Sequence, residues 1–261
     1  MDNDDVGVGR LLTRREIIAL VGVAGAASAL HKVAAHEPDL GGQVLNLSPQ
    51  PQCVVVPEQI EGPYFVDEKL HRVDIRTEPG SSTPKPGITL RLTFNVSEMS
   101  VSGGCVPLAN AMVDVWQCDA GGIYSDVKDP RFQTIGQKFL RGFQRTDATG
   151  VARFVTIYPG WYRCRAVHLH FKIRTALAQA KNYEFTSQLY FDDSLTDKVH
   201  AREPYAQFGP RDRRNEADGI FKRGNGRQLI VALAETTDGV AGTFSVALSA
   251  VKPTTRAGWV E

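Results

Sequence analysis

The chain has 261 residues and a formal net charge of +1, with 30 Lys and Arg against 29 Asp and Glu. This balance gives no basic excess for binding nucleic acid and no acidic tail. Hydrophobic residues make up 42% of the chain, enough for a sizeable core. The totals predict a soluble globular protein with one large β domain or two small ones.

The beginning of the chain resembles an export signal. Arg14 and Arg15 precede an apolar run from Ile17 to Leu30, which is too short and too rich in glycine and alanine to span a bilayer comfortably. The alternative, a short amphipathic helix, lacks a polar face. The Thr-Arg-Arg start is similar to twin-arginine signals, which direct folded proteins across the bacterial inner membrane. Residues 1–36 are therefore predicted to be a signal peptide, and the protein to be periplasmic or extracellular.

The next segment, 37–58, is polar and contains proline, so it is predicted to be an extended arm before a domain at 59–261. The chain has 4 cysteines, and an oxidising compartment would allow disulfides among them. Four cysteines allow three pairings, and the sequence does not choose among them. Cys53–Cys105 is favoured because it would join the arm to the domain. The absence of Cys-x-x-Cys argues against a structural zinc site.

Several short segments after the arm alternate apolar and polar residues, as half-buried strands require. They are 87–98, 111–120, 150–157, 166–173, 185–193, 227–235 and 242–251, and "TTDGVAG" joins the last two as a hairpin. No long stretch has a 3.6-residue period. The pattern predicts a mostly β chain folded as an antiparallel sandwich or barrel. The long connection 194–224 lacks a strand pattern and is predicted to be a functional loop.

The segment "PGWYRCRAVHLHF" (159–171) contains two alternate histidines. His168 and His170 face the same way in a strand. Alone this is weak evidence for a metal site, because many such pairs are ordinary histidines with satisfied hydrogen bonds. Tyr162 adds to it: with a pKa of about 10, a tyrosine is a poor ligand for divalent ions at neutral pH. A hard trivalent ion can bind the phenolate, so histidines with tyrosines favour Fe(III) over zinc or calcium.

Four motifs in order resemble the intradiol ring-cleaving dioxygenases, the superfamily of catechol and protocatechuate 3,4-dioxygenases. The motifs are "VDVWQCDAGGIYS" (113–125), "FLRGFQRTDATG" (139–150), "PGWYRCRAVHLH" (159–170) and "TSQLYF" (186–191). The resemblance extends from "EGPYF" (61–65) to the final hairpin. It implies an antiparallel β-sandwich and an enzyme that uses O2 to cleave a catechol-type ring between its two hydroxylated carbons, giving a muconate-type diacid.

The resemblance also implies roles for individual residues. The ligands of a non-haem Fe(III) would be Tyr124, Tyr162, His168 and His170. Tyr162 matches the ligand that leaves when substrate binds. Arg165 and Gln188 match residues beside the substrate ring, and Tyr64 matches a position at the pocket wall.

One residue departs from the family pattern. Cys164 lies between Tyr162 and Arg165, where the family often has glycine. If the position requires a positive φ, a residue other than glycine costs about 1 kcal/mol or more. Cys164 also puts a thiol near the proposed metal, where it could be redox-active or form a disulfide.

Two other functions stay open from the sequence. One is a β-sandwich module that binds catechol-like or other small ligands without turnover, and the other is a hydrolase-like or redox enzyme with zinc or copper. The sequence also leaves open which substituted catechol is accepted and whether the protein forms a homo-oligomer. It predicts no nucleic-acid partner and no stable membrane span.

Overall fold

The computed structural model describes residues 53–100, 104–177 and 180–249. The predicted signal, 1–36, and most of the predicted arm, 37–58, lie outside these residues. In the described part of the chain, no helix has the length and apolar character needed to cross a membrane.

Strands dominate these residues. In chain order they are β1 (Thr89–Met99), β2 (Cys105–Pro107), β3 (Met112–Trp116), β4 (Lys128–Asp129), β5 (Phe132–Gln133), β6 (Arg141–Arg145), β7 (Val151–Ile157), β8 (His168–Leu177), β9 (Ala180–Tyr190), β10 (Leu233–Thr236) and β11 (Gly239–Leu248). The helices are α1 (Asp193–His200) and α2 (Gly219–Arg223), with 3-10 turns at Ala206–Phe208, Asn215–Ala217 and Gly226–Leu229.

The strands form two main sheets. The first sheet has the order β10-β11-β1-β2. β7 also pairs with β1, along residues 89–95, whereas β2 pairs with residues 97–99. The second sheet has the order β6-β3-β8-β9. The second sheet is antiparallel throughout. In the first, β1 and β11 pair in parallel over ten residue pairs, from Thr89–Gly239 to Glu98–Leu248. This parallel pair is possible because nearly the whole domain serves as the crossover between the two strands.

The two sheets pack face to face through aromatic side chains. Phe171 of β8 lies 5.3 Å from Phe94 of β1 and 5.7 Å from Phe244 of β11, measured between ring centroids. Leu169 and Ile173 flank Phe171 on this inner face and are fully buried. The predicted β-sandwich is confirmed, and the pleat directs His168 and His170 to the opposite face of the second sheet.

The prediction for 227–235 was wrong in its first half. Gly226–Leu229 is a 3-10 turn, and the strand of the final hairpin begins only at Leu233. Leu229 and Val231 are buried as the alternation predicts, but β9 ends at Tyr190, so the backbone pairs there only at a single bridge to Ile230. The 194–224 connection contains no strand but holds most of α1 and all of α2, which the sequence pattern did not predict.

The arm is joined to the sandwich at several points. Cys53 and Cys105 form a disulfide, with 5.4 Å between their Cα atoms, which confirms the favoured pairing. The amide of Ala247 donates a hydrogen bond to the carbonyl of Val54, at 2.7 Å. The other two cysteines are free: Cys118 is buried and Cys164 is exposed.

Candidate active site

Two buried histidines at the start of β8 direct the same ring nitrogen to one point. The Nε2 atoms of His168 and His170 are 3.0 Å apart. Nδ1 of His168 lies 2.7 Å from the carbonyl of Ala166, and because a carbonyl only accepts, Nδ1 carries the proton and Nε2 keeps its lone pair. Trp116 stacks on His170 at 5.0 Å. Burial, with the positive charge of Arg165, lowers the pKa of both histidines well below the usual range. Both are therefore neutral imidazoles, the form that binds metals.

Two tyrosines lie beside this pair. Tyr124, in the loop after β3, is fully buried, and its hydroxyl has no hydrogen-bond partner among the described residues. The hydroxyl of Tyr162 is 3.4 Å from Nε2 of His168, and the two tyrosine rings are 5.7 Å apart. Burial raises the pKa of Tyr124 well above its usual value and that of Tyr162 to about 12. Without a cation, both side chains are neutral phenols.

Glycines allow the two tyrosine loops to touch. A Cβ at Gly160 would lie 2.4 Å from the carbonyl oxygen of Ala120, closer than real side chains come. Gly122 has a φ of +81°, and a Cβ there would lie 2.3 Å from the carbonyl oxygen of Trp161. Only glycine fits this backbone approach, so the local sequence fixes the distance between the loops.

These side chains fit a ferric ion. Two neutral imidazoles and two phenols converge, and one phenol has a buried hydroxyl with no partner, which is rare in native proteins. Within the described ranges, no three His, Cys, Asp or Glu side chains come together as a metal site, so a metal held here would need the tyrosines. Because burial raises the phenol pKa values, only a strongly Lewis-acidic ion would displace both protons.

Arg165 faces the same region and is held by several partners. Nη2 of Arg165 donates to Oε1 of Gln188 at 2.6 Å, and Nη1 is 3.5 Å from the Tyr162 hydroxyl. Nε donates to Oδ2 of Asp218 at 2.8 Å. Burial alone would lower the pKa of Arg165, but Tyr162 and Asp218 outweigh it and the pKa is raised. The guanidinium is therefore a permanent positive charge beside the hydroxyl of Tyr162 and Nε2 of His168.

Sequence reasoning missed two members of this network. Tyr190, whose hydroxyl is 3.0 Å from Oε1 of Gln188, lies two residues after Gln188 on β9, so the strand period could have found it. Asp218 lies in the long connection, where no periodicity or motif singled it out.

Tyr64 lies at the side of the site. Its ring centroid is 4.6 Å from that of Tyr124 and 6.3 Å from that of Tyr162. Its hydroxyl donates to Oδ2 of Asp129 at 2.7 Å, and Nε of Arg131 donates to the same carboxylate at 2.9 Å. The structure thus brings Tyr64 together with the other six predicted site residues.

The segment that carries Tyr64 also lies against His170. Gly62 has a φ of +75°, and a Cβ there would lie 3.3 Å from Cε1 of His170. On the solvent side, a cleft of about 310 Å³ opens beside Tyr162. The cleft is lined by Gly121, Gly122, Ile123, Arg131, Phe132, Trp161, Tyr162, Arg163 and Phe208.

Comparison with known proteins gives the family. A family model described as "Dioxygenase" matches residues 60–207. The chain is 31% identical to an intradiol ring-cleavage dioxygenase from Tetranychus urticae, with a TM-score of 0.66 over 78% of this chain and 98% of that one. The chain belongs to the intradiol ring-cleavage dioxygenase family.

Two further relatives differ in how much they share. The dioxygenase domain of a carbohydrate-binding fusion protein from Streptomyces sp. SirexAA-E is 28% identical, with a TM-score of 0.52 over 76% of this chain and 100% of that one. The protocatechuate 3,4-dioxygenase beta chain of Burkholderia cepacia is 32% identical over 126 residues, which cover 45% of this chain and 51% of that protein. The match thus spans about half the length of this curated relative.

The backbone at Cys164 adopts a conformation that is uncommon for a residue other than glycine. Cys164 has a φ of 67°, so the left-handed conformation is present although glycine is not. Its amide donates to the carboxylate of Asp212, at 3.1 and 3.2 Å to the two oxygens. The thiol is exposed and unpaired. With Cys164 in this conformation, Arg165 contacts both Gln188 and Asp218.

Proposed function

We propose that the protein is a non-haem Fe(III) dioxygenase. Its substrate would be a catechol-type ring, cleaved between the two hydroxylated carbons with incorporation of both atoms of O2 to give a muconate-type diacid. The observation that carries the proposal is the convergence of two neutral imidazoles, 3.0 Å apart at Nε2, with the buried and partnerless hydroxyl of Tyr124. Family membership supports the same chemistry.

Tyr124, Tyr162, His168 and His170 would hold the ion. Bound Fe(III) would hold the catecholate oxygens and withdraw electron density from the ring, so that a ring carbon can react with O2. The side chains of the protein would bind the substrate and transfer protons, and the two tyrosines differ in their access to substrate. Tyr124 is fully buried, whereas Tyr162 also lines the open cleft.

This difference in access gives the two phenols different roles. With the ion bound, Tyr162 would be a phenolate, and it would be the group that accepts a proton from an incoming catechol, because it lines the cleft and lies beside His168. Arg165 would stabilise negative charge that develops on the substrate, since its guanidinium is preorganised by Gln188 and Asp218 before substrate arrives. Tyr64 would form the opposite wall for the ring.

Oxygen uptake tests the proposal. Purified protein loaded with ferric iron should be reddish and should consume one O2 per ring with at least one of catechol, hydroxyquinol and protocatechuate. Mass spectrometry after reaction in ¹⁸O2 should find both labelled atoms in the diacid. A coloured iron protein with no oxygen uptake on the panel would favour a binding module, and a protein that is purified with zinc or copper and does not bind iron would refute the iron proposal.

We also propose export in folded form. Arg14 and Arg15 before the apolar run resemble a twin-arginine signal, and the Cys53–Cys105 disulfide supports an oxidising destination. Changing Arg14 and Arg15 to lysine should leave the protein in the cytoplasm, while Arg10→Lys, outside the pair, should not. Unchanged export of the double variant would refute the signal.

A further inference from the structure

One carboxylate in the long connection is tied directly to the active-site arginine. Asp218 is 1% exposed and immediately precedes α2. Its Oδ2 accepts hydrogen bonds from Nε of Arg165 and from the amide of Ala166, each at 2.8 Å. We infer that Asp218 is a positioning residue for Arg165, an inference that rests on the proposed dioxygenase function.

Asp218 is itself rigid. Its Oδ1 accepts from the amides of Ile220, at 2.7 Å, and Phe221, at 3.1 Å, and so caps α2. With the bond from Ala166, three backbone amides hold the carboxylate in place before it binds Arg165. Because the carboxylate is itself held in place, it restricts the orientations open to the guanidinium that binds it.

The geometry of Arg165 shows what this anchor achieves. Asp218 binds Nε and Gln188 binds Nη2, at 2.8 and 2.6 Å. The guanidinium is planar, so fixing two of its nitrogens sets the third. Nη1 is then directed to the Tyr162 hydroxyl and to Nε2 of His168, each 3.5 Å away. Without Asp218, the long side chain keeps only the contacts at its tip, and rotation would move Nη1 away from the reacting ring.

Capping α2 does not account for the whole arrangement, because the cap uses only Oδ1. Asp192 provides the comparison. It caps α1 in the same way, through bonds from the amides of Ser194 and Leu195 to its Oδ1, at 2.9 and 3.0 Å. Asp192 is exposed, and in the described part of the chain its side chain does not contact Arg165.

The test compares Asp218→Asn with Asp192→Asn in the full-length, iron-loaded protein. Displacement of a catalytic group by about 1 Å can cost about 100-fold in rate, so Asp218→Asn should lower kcat by about 10- to 100-fold. The KM for the best catechol of the panel and the iron content should change by less than about threefold, because the metal ligands keep their contacts. Asp192→Asn should keep the wild-type kcat.

A second measurement does not depend on turnover. In metal-free protein, Asp218→Asn should lower the melting temperature clearly in the wild-type background. In an Arg165→Met background its effect should be much smaller or reversed, because the buried carboxylate there has already lost its counter-charge. Equal effects in both backgrounds would show that Asp218 acts only as a cap.

The outcomes separate the two proposals. Wild-type protein that consumes oxygen, with Asp218→Asn showing an unchanged kcat, overturns the positioning role alone. Wild-type protein that consumes no oxygen with any catechol overturns the proposed function, and the positioning role falls with it. If Asp218→Asn and Asp192→Asn lower kcat equally, the positioning role is also overturned, because helix capping would then be the cause.

Discussion

The disulfide between Cys53 and Cys105 should contribute a large share of the domain's stability. The two cysteines are 52 residues apart in sequence. Closing a loop of this length in the unfolded chain removes entropy worth about 4 kcal/mol at 25 °C in the chain-entropy model. For a domain of about 200 residues, each kcal/mol corresponds to about 2–4 °C in melting temperature. The double variant Cys53→Ser, Cys105→Ser should therefore melt about 10 °C below the wild type.

The assay is thermal denaturation of both proteins with the same iron content. Cys164→Ser is the matched control, since it removes a thiol that is exposed and unpaired, and it should melt close to the wild type. The arm is also held by hydrogen bonds from the Ala247 amide to the carbonyl of Val54 and from the Ser187 hydroxyl to the carbonyl of Pro57. If these bonds suffice and the unfolded chain is already compact, the double variant will melt within about 1 °C of wild type. That result would refute the entropic argument.

Four further predictions concern the site and its surroundings. Arg165→Ala should lower turnover by about 100-fold with little change in iron content, and loss of iron instead would make Arg165 structural. Tyr162→Phe should still bind iron, less tightly, whereas Tyr124→Phe should change the visible band of the substrate complex; a substrate-bound structure with Tyr124 displaced would reverse this assignment. Cys164→Gly should raise the free energy of unfolding in urea by up to about 1 kcal/mol, because φ is 67° there. Burial lowers the pKa of His200, so the unfolded chain binds a proton more readily than the folded chain, and metal-free protein loses stability as the pH falls below about 6.5. His200→Asn should reduce the change in the free energy of unfolding by up to about 1.4 kcal/mol per pH unit, measured by urea denaturation between pH 5 and 7.

The sequence predicted those features that depend on local periodicity or on motifs. Alternation located β1, β7, β8 and β11 to within a few residues, and the two-residue period of a strand put His168 and His170 on one face. The features that it missed depend on contacts between distant segments. The parallel pairing of β1 with β11 joins residues that are 150 apart in sequence, such as Thr89 and Gly239, and the 227–235 segment pairs with Tyr190 of β9 only at Ile230.

Asp218 shows the same limit within the site. It is separated from Arg165 by more than fifty residues of sequence, and its neighbours carry no strand or helix pattern strong enough to fix its position. In the structure Asp218 is the N-cap of α2, a position where aspartate is common. Capping accounts for the two bonds to Oδ1 and not for the guanidinium bound to Oδ2.

The metal-free site carries a cost in stability that links it to the ion it would hold. The buried hydroxyl of Tyr124 has no hydrogen-bond partner among the described residues, and such a group costs about 1–3 kcal/mol. The sandwich tolerates this because β8 fixes the histidines and the glycine contacts fix the tyrosine loops, so the donors have no route to relax toward other partners. An ion that binds only the folded chain stabilises it by about 4 kcal/mol at a concentration 1,000 times its dissociation constant. The rigidity that leaves the Tyr124 hydroxyl without a partner would therefore also hold all four donors in place for iron.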